Sequence, residues 1–202
     1  MRENATTQLV GDKLILIPYL AEHVPKYHGW MQDEQLRAQT ASEPLTLEEE
    51  YDMQRSWAED ADKCTFIILS RERLLAGASS VNAMVGDVNL FFTDTCDRSS
   101  AELEIMIAES TEQRKGLGLA ASAMMMLYAV EKLGVRTFTA KIGSKNEKSL
   151  RMFKEKLAFE QISFSEVFDE VTLELIVNDS AIERLQLCAP NMIIEVFEAN
   201  RR

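Results

Sequence analysis

Gln113-Arg114-Lys115-Gly116-Leu117-Gly118 is the stretch of this chain best suited to chemistry. Glycines two apart let a backbone turn several N–H groups toward one point, and a helix start behind them adds the positive end of a dipole. The guest of such a site is an anion, above all a pyrophosphate. Two familiar phosphate loops are excluded. Gly116 to Ala121 fits G-x-G-x-x-A, but the acidic residue that a dinucleotide needs about 20 residues on is replaced by Val135-Arg136-Thr137-Phe138-Thr139-Ala140-Lys141. No Gly-Lys-Ser/Thr follows the first glycine, so a nucleotide P-loop fails too.

Other reactive side chains are few. Glu102 and Glu104 stand on the apolar run that leads to the loop, on one face by strand alternation; a solvated carboxylate at a strand start is the plain reading of both. His23 and His28 are five apart and do not share a helix face, so no metal site is expected. Cys96 has no histidine near it in sequence, and Met124-Met125-Met126 reads as core filler.

The elements that must position these residues follow from pattern. Lys13–Pro18 reads as a strand closed by proline, Ala21–Met31 as a helix, and Thr46-Leu47-Glu48-Glu49 as a capping box opening a helix to about Ala58. Thr65–Ser70 is a buried strand, and Arg71–Asn82 a loop. Met84–Phe92 and Glu102–Ala108 form an antiparallel pair joined by a polar turn over Asp94–Ser100. A helix from Leu117 to Leu133 stops at Gly134. Phe138–Ile142 is a strand, and Asn146 caps a helix to about Lys156. Phe159–Ser163 and Val171–Val177 are the last strands. With no linker or repeat, residues 1–178 read as one α/β domain with a mixed, mostly antiparallel sheet flanked by helices. A tail, 179–202, mixes a short helix with Met192-Ile193-Ile194 and frays at its end.

Composition narrows the partners. At 202 residues with 46% hydrophobic and 27% charged content, the chain is an ordinary globular domain with room for a core. No apolar run spans a bilayer, no signal-peptide region opens the sequence, and three widely spaced cysteines suit a reducing, cytoplasmic setting. A net charge of -11 argues against nucleic acid. Yet between Glu112 and Lys156 ten Lys/Arg face four Glu, a basic island around the glycine loop. Solvated helix faces explain such charges equally well as a polyanionic cofactor beside Arg114, Lys115, Lys145 and Lys148. With an acidic outer surface, the second reading points to an amine-bearing substrate.

A strand, Gln-x-x-Gly-x-Gly, a helix, a strand and then Asn-x-x-Ser-x-x-x-aromatic, from Glu102 to Phe159, resemble the GNAT acetyltransferase superfamily. Lys13–Trp57 is similar to the branch that acetylates protein N-termini. Pro18-Tyr19-x-x-Glu22-His23-Val24-Pro25, Thr40 to Leu47, Asp60 to Phe66 and Met84 to Phe91 resemble the N-acetyltransferase 9-like family. This closer likeness spans roughly residues 1–178.

The resemblance implies a GNAT fold, with acetyl-CoA as donor held in splayed central strands and no metal. Backbone N–H groups of Gln113, Arg114, Lys115, Gly116, Leu117 and Gly118 would grip the pyrophosphate, and Met106, Ile107 and Ala108 would pair with the pantetheine arm like an added strand. Asn146 would face the pantetheine, although capping alone also explains it. Glu102, eleven residues before Gln113, takes the place of the base in the histone-acetylating branch, with Glu104 as substitute through a water. Phe153, which the resemblance places among the cofactor-binding residues, stands where many members carry the tyrosine that protonates the leaving thiolate, so the acid is unassigned. The acceptor implied is a protein N-terminal α-amine, of α- and β-tubulin in particular, with microtubule stabilisation as the setting. A small-molecule amine acetyltransferase and a non-catalytic acetyl-CoA- or microtubule-binding module are the alternatives.

Overall fold

The computed structural model describes residues 2–92 and 97–198. Cys96, part of the turn expected over Asp94–Ser100 and the chain end expected to fray lie outside them. In order the elements are β1 (Thr7–Val10), β2 (Leu14–Pro18), a 3-10 turn (Ala21–His23), α1 (Val24–Trp30), α2 (Glu34–Gln39), α3 (Leu47–Glu59), β3 (Lys63–Ser70), α4 (Arg71–Leu75), α5 (Ser80–Ala83), β4 (Met84–Phe91) and β5 (Ser100–Ile107). Then follow α6 (Leu117–Tyr128), β6 (Thr137–Gly143), α7 (Glu147–Arg151), β7 (Glu160–Ser165), β8 (Glu170–Ile176), α8 (Asp179–Cys188) and β9 (Ile193–Val196).

Local chemistry accounts for these boundaries. Thr46 and Glu49 close the reciprocal capping box at the start of α3. Past Tyr128 the helix widens into a π turn, Ala129–Leu133, and ends at Gly134, whose φ of 77° fits a left-handed cap. One expectation needs correction. Arg71–Asn82 is not a loop: Ser70 and Ser79 hydroxyls accept from the N–H groups of Arg73 and Asn82, at 3.4 and 3.3 Å, and each starts a single helical turn. Sequence patterning does not reveal β1, and the tail supplies its partner, β9, with Thr7 opposite Val196.

Among the described residues the nine strands form one sheet in the order β7-β8-β6-β5-β4-β3-β2-β1-β9. Every neighbouring pair is antiparallel except β5 and β6. α6 covers one face, packing Leu117 and the buried Met124, Met125 and Met126 against Leu16, Phe66 and Leu103. The helices before β3 cover the other face, where Val24 and Tyr27 meet Ile17, Ile67 and Met106. Burying both faces provides the apolar area that holds the sheet and fixes which side each strand residue takes. Among the described residues no helix is long and apolar enough to cross a membrane.

The parallel seam is short. Ser100, Ala101 and Glu102 pair with Thr137, Phe138 and Thr139, and among the described residues no ladder pair follows. β5 continues beside β4 as far as Ile107, and β6 beside β8 as far as Gly143. The sheet therefore opens into a V between Leu103 and Ile107, whose unpaired edge is about 13 Å long at one strand rise per residue.

Candidate active site

The glycine loop closes the end of this V. After β5 a 3-10 turn, Ser110–Glu112, leads to Gln113 in extended backbone. Arg114 and Gly116 both take left-handed conformations, at φ 64° and 81°. Gly116 is the N-cap of α6, and the first bond of that helix runs from Ala120 N–H to Gly116 O at 3.1 Å. The N–H groups of Leu117, Gly118 and Leu119 precede it and have no partner within the helix. A row of main-chain donors at a twelve-residue helix start can cradle an oxyanion.

Gly116 needs its glycine for conformation. Gly118 does not: a Cβ there would meet Ile107 Cγ1 at an ordinary 3.5 Å. The protein's own packing leaves room for a side chain at this point, so the bare backbone suits a guest that approaches closely. Leu117 is the inward residue of the loop, 4% exposed, and packs in the core.

Strand alternation revises which backbone groups face the V. Ala108 N–H bonds to Val85 O at 2.9 Å, so Ala108 and Met106 direct their main-chain groups at β4. Ile105 and Ile107 point theirs into the V. Of the three residues expected to pair with a pantetheine arm, only Ile107 is thus oriented, and the Gln113 amide donates to its carbonyl at 3.0 Å. β4 approaches very closely here, because a Cβ on Gly86 would lie 1.9 Å from Met106 O.

Glu102 and Glu104 share the face of the sheet toward α1 and α3, together with Met106. Lys141 Nζ lies 2.9 Å from Glu102 Oε2. Glu104 reaches solvent, yet protein surrounds most of its carboxyl, and burial raises it above the usual glutamate value, with Lys63 pulling it back. Opposite Glu104 across the ladder is Asn89. The Asn89 amide donates to Asp87 Oδ2 at 2.6 Å and its oxygen accepts from Thr65 Oγ1 at 2.5 Å. Asp87 is 2% exposed, and burial pushes its carboxyl up to about 7. Lys63 stands 3.8 Å over the Trp57 ring, closing the same wall. Sequence patterning does not single out Thr65, Asp87 and Asn89; their signal is polar residues inside the otherwise apolar strands β3 and β4.

The basic island is not a ring of free cations. Lys115 Nζ is 3.1 Å from both Glu72 and Glu112, and Lys145 is turned to solvent near Asp169. Arg114 is exposed at the loop. Asn146 caps α7, its oxygen accepting from Ser149 N–H at 3.2 Å, while its amide nitrogen remains for another acceptor. Phe153 is 2% exposed and packs edge-on against Phe159, at 5.0 Å between ring centres. It is a core side chain. His23 is likewise structural, its Nδ1 accepting from Leu20 N–H at 3.0 Å.

With a splayed parallel seam ending in a glycine cradle, the geometry meets the sequence comparisons. A family model for the acetyltransferase (GNAT) domain matches residues 13–159. The chain belongs to the GNAT family. Human Alpha/beta-tubulin-N-acetyltransferase 9 is 56% identical over 183 residues, covering 89% of this chain and 88% of that protein. The N-acetyltransferase 9-like protein of Nematostella vectensis is 52% identical over 180 residues, covering 89% and 90%. This GNAT chain is an N-acetyltransferase of the N-acetyltransferase 9-like group. Spermidine N-acetyltransferase from Vibrio cholerae, solved with CoA and spermine, superposes with a TM-score of 0.70 over 81% of this chain and 95% of that one. Its 16% identity makes that a likeness of fold. GNAT acetyltransferases use acetyl-CoA as acyl donor.

Proposed function

We propose that this GNAT chain transfers the acetyl group of acetyl-CoA to the α-amine of a protein N-terminus. Tubulin is the acceptor to which the names of its relatives point, and a cytosolic setting belongs to the same reading. The single observation that carries it is the unpaired edge of β5, running from the glycine cradle to the carboxylate-bearing face. The diphosphate of CoA fits the N–H groups of Gly116 to Leu119, and a pantetheine arm suits the amides of Ile105 and Ile107. Bound there, acetyl-CoA supplies an activated thioester.

The chain's own residues then have defined tasks. Glu104 accepts the proton of the attacking amine, directly or through water, since burial raises its carboxyl above the usual glutamate value. Glu102, tied to Lys141, holds the local charge in place. An α-amine has a reference pKa near 7.7–8.0, so a useful fraction is neutral at pH 7 and the demand on a base is smaller than for lysine. Reprotonation of the departing thiolate falls to water, because Phe153 has no proton to give. A thiol pKa of about 8.5 makes that tolerable.

The test is mass spectrometry after incubation with acetyl-CoA and three acceptors: a tubulin N-terminal peptide, the same peptide with a blocked α-amine and an internal lysine, and spermidine. Acetylation of the free α-amine alone is expected. Modification of spermidine or lysine in preference to it overturns the proposal.

A further inference from the structure

The glycine cradle stands on a segment with little backbone support. Val85 O accepts from both Ala108 N–H and Glu109 N–H, at 2.9 and 3.3 Å, and there the ladder ends. From Ser110 to the helix start the main chain is held by Glu112 N–H to Glu109 O at 2.9 Å, Gln113 N–H to Ser110 O at 3.3 Å and a long bond from Lys13 Nζ to Lys115 O at 3.4 Å. Gln113 to Gly116 are exposed. Donors that must meet an anion in a fixed arrangement need such a segment to be held before the anion arrives.

A side chain from a distant element holds it. Arg73, on α4, gives Nε to Glu112 Oε1 at 3.0 Å. One terminal nitrogen reaches Glu109 Oε2 and Thr111 Oγ1, both at 3.2 Å. The other donates to Asn82 O at 3.3 Å. Three of these four bonds fall on the four residues Glu109 to Glu112. The planar fork is what permits this, since one ammonium cannot reach three acceptors in this spread. The Glu112 side chain is 6% exposed, and its second oxygen meets Lys115 of the loop at 3.1 Å.

The same segment is tied to the acceptor side. Trp30 Nε1, at the end of α1, donates to Glu109 Oε1 at 2.9 Å, and Lys26 Nζ lies 3.6 Å from that oxygen. Burial alone would raise the Glu109 carboxyl, but Trp30, Lys26 and Arg73 outweigh it and hold it below the usual range, so it stays ionised.

We propose that Arg73 is a positioning residue of the donor site: its grip on Glu109 and Glu112 sets the backbone from which the pyrophosphate cradle departs. Arg73 touches no reacting atom and acts through the loop. The inference rests on the acetyl-CoA reading above, and its test separates the two.

CoA affinity is measured by calorimetry, and kcat and KM for acetyl-CoA by steady-state kinetics, on wild type, Arg73→Met, Arg73→Lys and Glu109→Gln. For R73M the Kd of CoA and the KM of acetyl-CoA should rise roughly 10- to 50-fold, with kcat within about threefold, as for loss of charge-assisted bonds that preorganise binding. R73K keeps the charge without the fork and should recover part of the loss. E109Q should shift affinity in the same direction but less, since Arg73 retains Glu112. A purely structural role predicts lower thermal stability with unchanged Kd in every variant that folds, and that result overturns the proposal. If R73M does not fold, R73K and E109Q decide it by the same Kd criterion. Failure of wild type to bind CoA strikes the acetyl-CoA reading itself; binding that is equal in wild type and variants strikes only the role of Arg73.

Discussion

Lys141 Nζ sits 2.9 Å from Glu102 Oε2, and this ion pair separates the roles of two carboxylates that a sequence reading ranks the other way. A carboxylate oxygen already held by a close ammonium is less available to an incoming amine. Burial raises Glu104, on the same face two residues on. At saturating acetyl-CoA, Glu104→Gln should lower kcat by roughly 10²- to 10⁴-fold, the usual range for a lost general base. Glu102→Gln should cost less than about tenfold by the same scale. Equal losses in the two variants would return Glu102 to the leading role.

The loop offers two neighbouring substitutions with opposite signatures. Gly116 lies at φ 81°, where a β-branched side chain is strained. Gly116→Val should therefore raise the KM for acetyl-CoA by roughly tenfold or more, the equivalent of 1.4 kcal/mol. Leu117 is 4% exposed, so Leu117→Ala should cost about 2–4 kcal/mol of stability and leave CoA affinity close to wild type. Calorimetry and urea unfolding on both variants check the separation. A shift in Kd for L117A matching that of G116V would mean that the side chain, not the turn, makes the site.

These contrasts mark what the sequence could and could not disclose. The cradle was legible because its determinants, two glycines and a helix start, are local. The V was legible only through family likeness: its cause is that β5 and β6 share three residue pairs before parting, a tertiary fact. β1 has four residues and one buried side chain, too few for periodicity, and its partner lies at the far end of the chain. α4 and α5 are single turns whose signal is a capping serine alone. Arg73 lies 39 residues before Glu112, so no spacing rule connects them. Likewise, whether Met106 or Ile107 faces the V depends on which amide of the ladder bonds to β4.

Gly86 gives a prediction about the sheet itself. A Cβ at this position would stand 1.9 Å from Met106 O, with Met106 C at 2.9 Å and Ile107 Cα at 3.0 Å. These are backbone atoms and cannot rotate aside. Gly86→Ala must push β4 off β5 beside the V, at a cost of roughly 3 kcal/mol, the upper part of the overpacking range. Denaturant unfolding should register a lower midpoint with an unchanged slope. A wild-type midpoint would show that the strands part there without penalty.

Two buried groups set opposing pH dependences of stability. Asp87 is 2% exposed; burial, with Glu104 adding to it, raises its carboxyl from 3.8 to about 7 against the pull of Asn89, Lys63 and Tyr27. The folded chain keeps this proton where the unfolded chain has released it, so the contribution is full below pH 3.8 and is lost as pH rises through 7. His23 is fully buried, and desolvation lowers it from 6.5 to about 4. There the unfolded chain takes up a proton that the native state refuses, so stability is lost as pH falls from 6.5 toward 4. Each limit is on the order of 3–4 kcal/mol at 1.36 kcal/mol per pK unit, and between pH 4 and 6.5 the two slopes oppose each other. Asp87→Asn removes one of them. The unfolding free energy of D87N minus that of wild type should become more positive by roughly 2–4 kcal/mol from pH 4 to 7, because other titrating groups cancel in the difference. His23→Asn, which keeps an acceptor for Leu20 N–H, should give a difference that is most positive at the acid end. A D87N difference that stays level across this range would mean that Asp87 is ionised in the folded protein as readily as in the unfolded chain, and that its unpaired Oδ1 is compensated by a partner such as water.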